Sequence, residues 1–209
     1  MVAAIRHTIL FVVLIICTVS PTQALATSKI LIFGDSLSSG YRLKAHEALP
    51  AVVEHQLLEM GHDIKVINGG VTGETTTGGA SRLKWSLDKY QPDIVMIALG
   101  GNDMLRGISP KVVRKNIDAM LAMLQERGIK TILMAVKVPP HHDPTYTHDF
   151  NSIFPNLAER YGVALYPFFL EAIYAHKDYM LNDGIHPNAQ GVKYIAGYLA
   201  GYLADTGWL

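Results

Sequence analysis

The chain has 209 residues, of which 49% are hydrophobic and 17% are charged. A chain of this length fits one domain, and its apolar content argues against disorder. Its 18 basic and 18 acidic residues balance, so there is no broad basic field to hold a nucleic acid. The single cysteine, Cys17, excludes an intramolecular disulfide and a metal site built from several thiolates.

The segment 1–26 has the features of a secretory signal peptide. A basic start is followed by an apolar run over 9–17, which is too short to span a bilayer. Ala24-Leu25-Ala26 matches the small-x-small pattern that precedes a signal-peptidase site. We therefore expect cleavage after Ala26, a periplasmic or secreted location, and a single mature domain over 27–209 with no stable membrane insertion. The alternative is an uncleaved amphipathic anchor.

The rest of the chain alternates short apolar runs with helical patterns. Strands of continuous Ile, Leu and Val, each followed by a helix, indicate an α/β fold with a parallel sheet covered on both faces. In chain order we predict strand 29–33, helix 47–60, strand 64–67, helix 76–90, strand 93–99, helix 110–127, strand 131–136, helix 149–161 with Pro155 as a kink or restart, strand 163–166, and a closing helix 187–204 that Pro187 begins. Sites in such folds lie at the carboxyl ends of the strands.

Polar residues follow three of the predicted strands. Gly34-Asp35-Ser36 ends the first strand, and a serine on a tight turn can be a nucleophile or simply a helix cap. A glycine-rich turn over 69–73 ends the second strand and lacks the spacing of nucleotide-binding loops. Asn102 follows the third strand, where its amide could donate to an oxyanion or tolerate an unusual backbone conformation.

Asp183 and His186 lie together on a predicted loop late in the chain. A nucleophilic serine needs an imidazole to accept its proton and a carboxylate to hold the other ring nitrogen. The alternative interpretation is an exposed capping aspartate beside a surface histidine.

Taken together and in this order, Gly-Asp-Ser-Leu-Ser, Gly73, Gly-Gly-Asn-Asp and Asp-x-x-His-Pro resemble the SGNH (GDSL) hydrolase superfamily. The resemblance covers nearly all of residues 29–203. Within the superfamily, the chain resembles the thioesterase I, lysophospholipase L1 and arylesterase branch. The resemblance implies a three-layer, flavodoxin-like fold with a five-stranded parallel sheet in the order 2-1-3-4-5. It also implies that no cofactor is needed.

The resemblance further implies a role for each motif. Ser36 would be the nucleophile, His186 the general base and then acid, and Asp183 the carboxylate that orients it. The oxyanion hole would comprise the backbone N–H groups of Ser36 and Gly73 and the side-chain amide of Asn102.

The same resemblance implies a serine esterase that hydrolyses small-molecule esters, thioesters or lysophospholipids with short-to-medium acyl chains. We expect a loop over 104–108 to line the acyl groove with Met104, Leu105 and Ile108, and Pro140 to lie beside it. The alternatives are a carbohydrate O-deacetylase, a non-catalytic binding module and a flavin-binding protein. We expect a monomer.

The segment after Pro140 departs from the family. Relatives often continue with Asn-Tyr-Gly, whereas this chain has His141, His142 and Asp143, which leaves the substrate preference open. These residues and His148 could also be read as a zinc cluster. Adjacent histidines do not naturally point at one metal, and the segment is predicted to be a Pro-rich loop, so we predict no metal site.

Overall fold

The computed structural model describes residues 27–139, 142–168, 170, 171, 173 and 176–209. Its strands are β1 (Ser28–Gly34), β2 (Ile64–Gly70), β3 (Ile94–Ala98), β4 (Lys130–Met134) and β5 (Ala164–Tyr166). Its helices are α1 (Ser36–Ser39), α2 (Leu49–Glu59), α3 (Thr76–Tyr90), α4 (Gly101–Leu105), α5 (Pro110–Glu126), α6 (Pro144–Asn151), α7 (Ile153–Tyr161) and α8 (Ala189–Asp205). Short 3₁₀ turns lie at Ala45–Glu47 and Lys177–Tyr179.

The five strands form one parallel sheet in the order β2-β1-β3-β4-β5, which confirms the predicted fold. Apolar side chains of α2 and α8 pack on one face of the sheet, and those of α3, α5 and α7 pack on the other. Because all the strands are parallel, their carboxyl ends lie at the same edge. The residues that follow β1, β3 and β4 are therefore brought close together.

Strand β1 shows why the apolar runs are continuous rather than alternating. Ile30 and Ile32 belong to the apolar cluster on one face, whereas Leu31 and Phe33 belong to the cluster on the other. All four side chains are fully buried. Successive residues of a strand point to opposite faces, so a strand covered on both faces is apolar at every position. Each such side chain contributes about 1.5–3 kcal/mol through burial.

Two predictions for the chain after β4 are wrong. The segment predicted to be a Pro-rich loop forms α6, because Pro144 occupies its first turn and the Asp143 side chain accepts a hydrogen bond from Tyr146 N at 2.8 Å. The break that follows lies at Ser152 rather than at Pro155. Pro155 is in the first turn of α7, where a missing N–H leaves no intrahelical bond unmade.

The closing helix α8 begins two residues later than predicted. Pro187 pairs with Met180 in an isolated antiparallel bridge, and Asn188 is the helix cap that accepts a hydrogen bond from Gly191 N at 3.0 Å. The loop that carries His186 is therefore closed by a bridge between its two ends and is followed directly by a capped helix.

Within the described part of the chain, no helix combines the length and the apolar character that crossing a membrane requires. The predicted signal peptide over 1–26 and its cleavage site lie outside the described residues.

Candidate active site

Ser36, His186 and Asp183 form a continuous hydrogen-bonded chain at the carboxyl edge of the sheet. His186 Nε2 lies 2.8 Å from Ser36 Oγ, and His186 Nδ1 lies 2.9 Å from Asp183 Oδ2. Ser36 begins α1 directly after β1, while the other two residues lie on the loop before α8. The fold thus brings together three side chains that the sequence separates by as many as 150 positions.

Asp183 is held in its ionised form by its own loop. Burial opposes ionisation, but the N–H groups of His186 and Ile185 donate to Oδ1, and the imidazole of His186 adds to their effect. Together they lower the pKa of Asp183 to about 2. An ionised carboxylate only accepts hydrogen bonds, so His186 must carry its proton on Nδ1. Its Nε2 is then free to accept the proton of Ser36 Oγ–H.

The turn that presents Ser36 requires glycine at two places. A side chain on Gly34 would collide with Ser38 Oγ and would lie 2.8 Å from the carbonyl oxygen of Ala98. A side chain on Gly70 would collide with the backbone of α1 at Ser39. These two glycines therefore allow α1 to begin immediately at the ends of the strands, with Ser36 in its first turn.

Asp35 connects the serine turn to Asn102, a role that our sequence analysis did not assign. Its Oδ1 accepts a hydrogen bond from Leu37 N at 3.1 Å, and its Oδ2 accepts one from Asn102 Nδ2 at 3.1 Å. The side chain is only 3% exposed, and this burial, partly offset by the two hydrogen bonds, raises its pKa to about 6. The position before a turn serine is also a common capping position, so the sequence signals the cap but not the second contact.

Asn102 lies in α4, and the next residue, Asp103, connects this helix to the start of α3. Asp103 is fully buried and accepts hydrogen bonds from Thr76 N at 2.8 Å and Thr76 Oγ1 at 2.7 Å. The start of α3 therefore fixes the position of α4. An asparagine amide has two N–H groups, and only one of them is needed for the bond to Asp35. The second is available to a ligand.

Gly73 lies in a loop that hydrogen bonds to α1 and to the residue that follows α4. Thr72 Oγ1 lies 2.8 Å from Ser39 Oγ, and Arg106 Nη2 donates to the carbonyl oxygen of Gly73 at 2.8 Å. The φ angle of +77° at Gly73 favours glycine. Gly73 does not itself line the groove described next.

A groove of about 550 Å³ opens beside Ser36 and His186. Besides these two residues, Asp35 and Asn102, it is lined mainly by apolar side chains: Leu37, Ala98, Met104, Leu105, Met134, Val136, Val138, Pro139, Phe168, Leu170 and Ile185. Leu105 is 55% exposed and lies at the end of α4 rather than in a loop, which corrects the prediction of a loop over 104–108.

The predicted groove residues are only partly brought together. Met104 and Leu105 line the groove, but Ile108 does not. After α4 the chain turns so that Ile108 packs against the apolar cluster on the face of the sheet that α3, α5 and α7 cover. The carbonyl oxygen of Ile108 accepts a hydrogen bond from Tyr146 Oη at 3.1 Å. Pro140 lies outside the described residues.

An aromatic ring covers the imidazole of His186. The ring centres of Tyr41 and His186 lie 4.5 Å apart, with a tilt of 41° between the planes. Tyr41 follows α1 directly after Gly40, whose left-handed conformation ends the helix. The segment that presents the serine therefore also supplies a wall for the histidine.

Among the described residues, no group of three or more His, Cys, Asp or Glu side chains is arranged to hold a metal ion. Of the residues considered as a zinc cluster, Asp143 caps α6 and His148 pairs with Asp149. His141 lies outside the described part of the chain.

Comparison with known proteins places this arrangement in a family. Residues 32–194 match the GDSL-like lipase/acylhydrolase family. The chain is 40% identical over 192 residues to an arylesterase of Vibrio mimicus, covering 92% of this chain and 95% of that protein. It is 35% identical over 181 residues to thioesterase 1/protease 1/lysophospholipase L1 of Escherichia coli (strain K12), covering 87% and 86%.

Solved structures agree with the sequence relatives. The psychrotrophic esterase EstA from Pseudoalteromonas sp. was crystallised in a form inhibited by monoethylphosphonate. Its structure superposes on this chain with a TM-score of 0.80 at 34% identity. That match covers 87% of this chain and 98% of EstA. The SGNH-hydrolase family esterase AlinE4 superposes with a TM-score of 0.73 at 40% identity, over 87% of this chain and 97% of AlinE4. The chain therefore belongs to the GDSL-like lipase/acylhydrolase family, as its motifs predicted, and is an ester-bond hydrolase of the SGNH type.

Proposed function

We propose that this protein is a serine esterase and thioesterase that hydrolyses esters and thioesters of short-to-medium acyl chains through a covalent acyl-enzyme. The observation that carries the proposal is the pair of contacts of one imidazole, 2.8 Å to Ser36 Oγ and 2.9 Å to Asp183 Oδ2. Nucleophile, base and orienting carboxylate are then in hydrogen-bond contact before any substrate binds, which is the arrangement that activates a serine hydroxyl.

In the first half of the reaction, Ser36 Oγ attacks the substrate carbonyl carbon and His186 Nε2 accepts its proton. The carbonyl oxygen becomes negatively charged, and we propose that it is stabilised by the Asn102 amide and the backbone N–H groups of Ser36 and Gly73. The C–O or C–S bond then breaks as His186 transfers its proton to the departing oxygen or sulfur atom, so that the leaving group is released as an alcohol or a thiol. The acyl group remains on Ser36.

In the second half, a water molecule attacks the acyl carbon while His186 Nε2 accepts one of its protons. Collapse of the second tetrahedral intermediate releases the carboxylic acid and returns the proton to Ser36 Oγ. Asp183 remains ionised throughout at neutral pH, because its pKa of about 2 lies far below that pH. Its role is to hold the imidazole and stabilise the cation that forms.

We propose that Asp35 is a positioning residue in this reaction. Its carboxylate accepts one N–H of Asn102 and the N–H of Leu37, and so holds the oxyanion donor and the serine turn in one fixed relation. Donors that are already oriented need no reorganisation when the charge develops, which is the main source of their effect.

The shape of the groove supports an acyl substrate. Apolar side chains including Leu37, Leu105 and Leu170 surround the space beside Ser36. Each methylene that is buried contributes about 0.8 kcal/mol, or roughly fourfold in kcat/KM. We therefore expect kcat/KM to rise from acetyl towards medium-chain esters, and to level off when the chain exceeds the groove.

The direct test is hydrolysis of p-nitrophenyl butyrate and of an acyl-CoA by the wild type, Ser36→Ala and Ser39→Ala. Ser39 lies on the same short helix but hydrogen bonds to Thr72 and to a backbone carbonyl, so it serves as the matched control. We expect Ser36→Ala to be inactive with a circular dichroism spectrum like that of the wild type, and Ser39→Ala to remain active. Turnover by Ser36→Ala at the wild-type rate would contradict the proposal.

We also propose that the protein is exported and cleaved after Ala26, giving a periplasmic or secreted enzyme. The short apolar run and the Ala24-Leu25-Ala26 motif support this. Intact-mass measurement on protein from the periplasm or medium should give a chain that begins at Thr27. A chain that still carries residues 1–26 would contradict the proposal.

A further inference from the structure

A second groove lies next to the active-site groove. It is lined mainly by aromatic and aliphatic side chains, among them Leu165, Tyr166, Ile195, Tyr198 and Tyr202, and runs between the end of the edge strand β5 and helix α8. Its volume is about 700 Å³, and it is more open than the first. Phe168 and Glu171 line both grooves, so the two share a wall.

An ion pair stands at this shared wall. Lys137 Nζ lies 3.1 and 3.2 Å from the two carboxylate oxygens of Glu171, and both residues line the active-site groove. Lys137 lies between Val136 and Val138, two buried residues that also line that groove. Because Glu171 lines both grooves, the two charges lie where the mainly apolar lining of the active-site groove meets the second groove. We call Lys137 and Glu171 the boundary pair.

We propose that the boundary pair sets the longest acyl chain the enzyme accepts, and that the second groove would hold the far end of a longer chain once the pair is removed. The inference rests on the proposed function, because it assigns the end of the acyl site of that same enzyme. The occupant we assign to the second groove is the terminal part of a fatty-acyl chain.

The physical reason is the cost of placing methylene groups against charges. An acyl chain that reaches the boundary pair must either stop before it or cover it, and covering it removes water from an ammonium and a carboxylate that are more than half exposed. Before the pair, each added methylene gains apolar contact. At the pair the gain ends, although further apolar surface lies beyond it at Tyr166 and Ile195.

The pair is exposed enough to be removed without unfolding the protein. The Lys137 and Glu171 side chains are 51% and 63% exposed. Ion pairs of this exposure contribute little to stability, so variants at both positions should fold. Their effect should appear in substrate preference.

The experiment measures kcat/KM for p-nitrophenyl esters from butyrate to tetradecanoate, at concentrations where each ester is monomeric. Each value is divided by the butyrate value of the same variant. In Lys137→Ala/Glu171→Ala we expect this ratio to keep rising where that of the wild type levels off. Two carbons past that point, the double variant should exceed the wild type by roughly 16-fold, at about fourfold per methylene.

Three further variants separate the boundary pair from other causes. Lys137→Glu/Glu171→Lys restores the pair with its polarity reversed and should keep the wild-type profile. Adding Tyr198→Asp to the double alanine variant puts a charge in the second groove and should remove the gain. Lys84→Ala/Asp88→Ala removes an exposed pair on α3, together with the contact of Asp88 with Arg127, and should leave the profile unchanged.

The proposal is overturned if the double alanine variant and the wild type have the same chain-length profile. It is also overturned if the reversed pair behaves like the double alanine variant, because then the charges play no part. A wild type that hydrolyses none of the esters would instead contradict the proposed function. The two failures are therefore distinguishable.

Discussion

The buried carboxyl group of Asp35 predicts that the protein loses stability as the pH rises from about 4 to about 7. Its pKa rises from 3.8 to about 6 on folding, chiefly through burial. A group with a raised pKa binds its proton more tightly in the folded state, so folding is opposed once that proton must be lost. A shift of about two pKa units corresponds to about 3 kcal/mol, of which about 2 kcal/mol would be lost between pH 4 and pH 7.

Asp35→Asn should remove this dependence, because an amide can still accept the hydrogen bond from Leu37 N but does not ionise. The assay is urea unfolding of the wild type and the variant at several values between pH 4 and pH 7. The free energy of unfolding of the wild type, relative to that of the variant, should fall by about 2 kcal/mol across this range. Asp205→Asn, which removes an exposed carboxyl group, should keep the wild-type dependence. If Asp35→Asn also keeps it, Asp35 does not carry a raised pKa.

Three other predictions concern the reaction. Asn102→Ala removes one proposed oxyanion donor and should lower kcat by about 10²–10³ with little change in KM, whereas an effect confined to KM would make Asn102 a substrate-binding residue. Leu105→Ala should flatten the rise of kcat/KM with acyl-chain length, while Ile108→Ala, outside the groove, should lower the melting temperature and leave the slope unchanged. EDTA should not inhibit the enzyme; loss of activity in EDTA that zinc restores would revive the reading of a metal site near His142.

The fold class could be predicted because the strands of the sheet can be recognised in the sequence as short apolar runs. Ile30 to Phe33 are apolar at every position, a pattern that a strand covered on only one face would not show. The strand order came from the family resemblance rather than from the strands themselves. The three inner strands, β1, β3 and β4, are all mainly apolar and mostly buried, so nothing in their apolar runs distinguishes one neighbour from another.

Helices near the site were predicted less well, for reasons of local chemistry. Helix α4 contains a glycine at its start and only five residues, so it shows no helical periodicity. Helix α6 is polar, so its sequence resembles a Pro-rich loop more than a helix that packs on the sheet. Asp143 and Pro144 are a local start signal for α6, whereas α4 depends on the contact of Asp103 with Thr76, which composition does not signal.

The three polar side chains of the site could be predicted from motifs, but their supports could not. The contact of Asp35 with Asn102 joins residues 67 positions apart, and that of Lys137 with Glu171 joins residues 34 positions apart. Asp35 has a sufficient local explanation as a cap, and Lys137 interrupts an apolar run in the sequence. Only the folded chain brings Asp35 to Asn102 and Lys137 to Glu171.

The central claim is that Ser36 is the nucleophile and that His186 activates it. The most direct measurement is mass spectrometry of the protein after reaction with a fluorophosphonate, which labels activated serines. We expect one adduct per chain, on the peptide that contains Ser36, and no adduct in Ser36→Ala. In His186→Ala we expect labelling to be at least about 100-fold slower, which is on the order of the contribution of a general base. An adduct on another residue, or labelling of His186→Ala at the wild-type rate, would contradict the account.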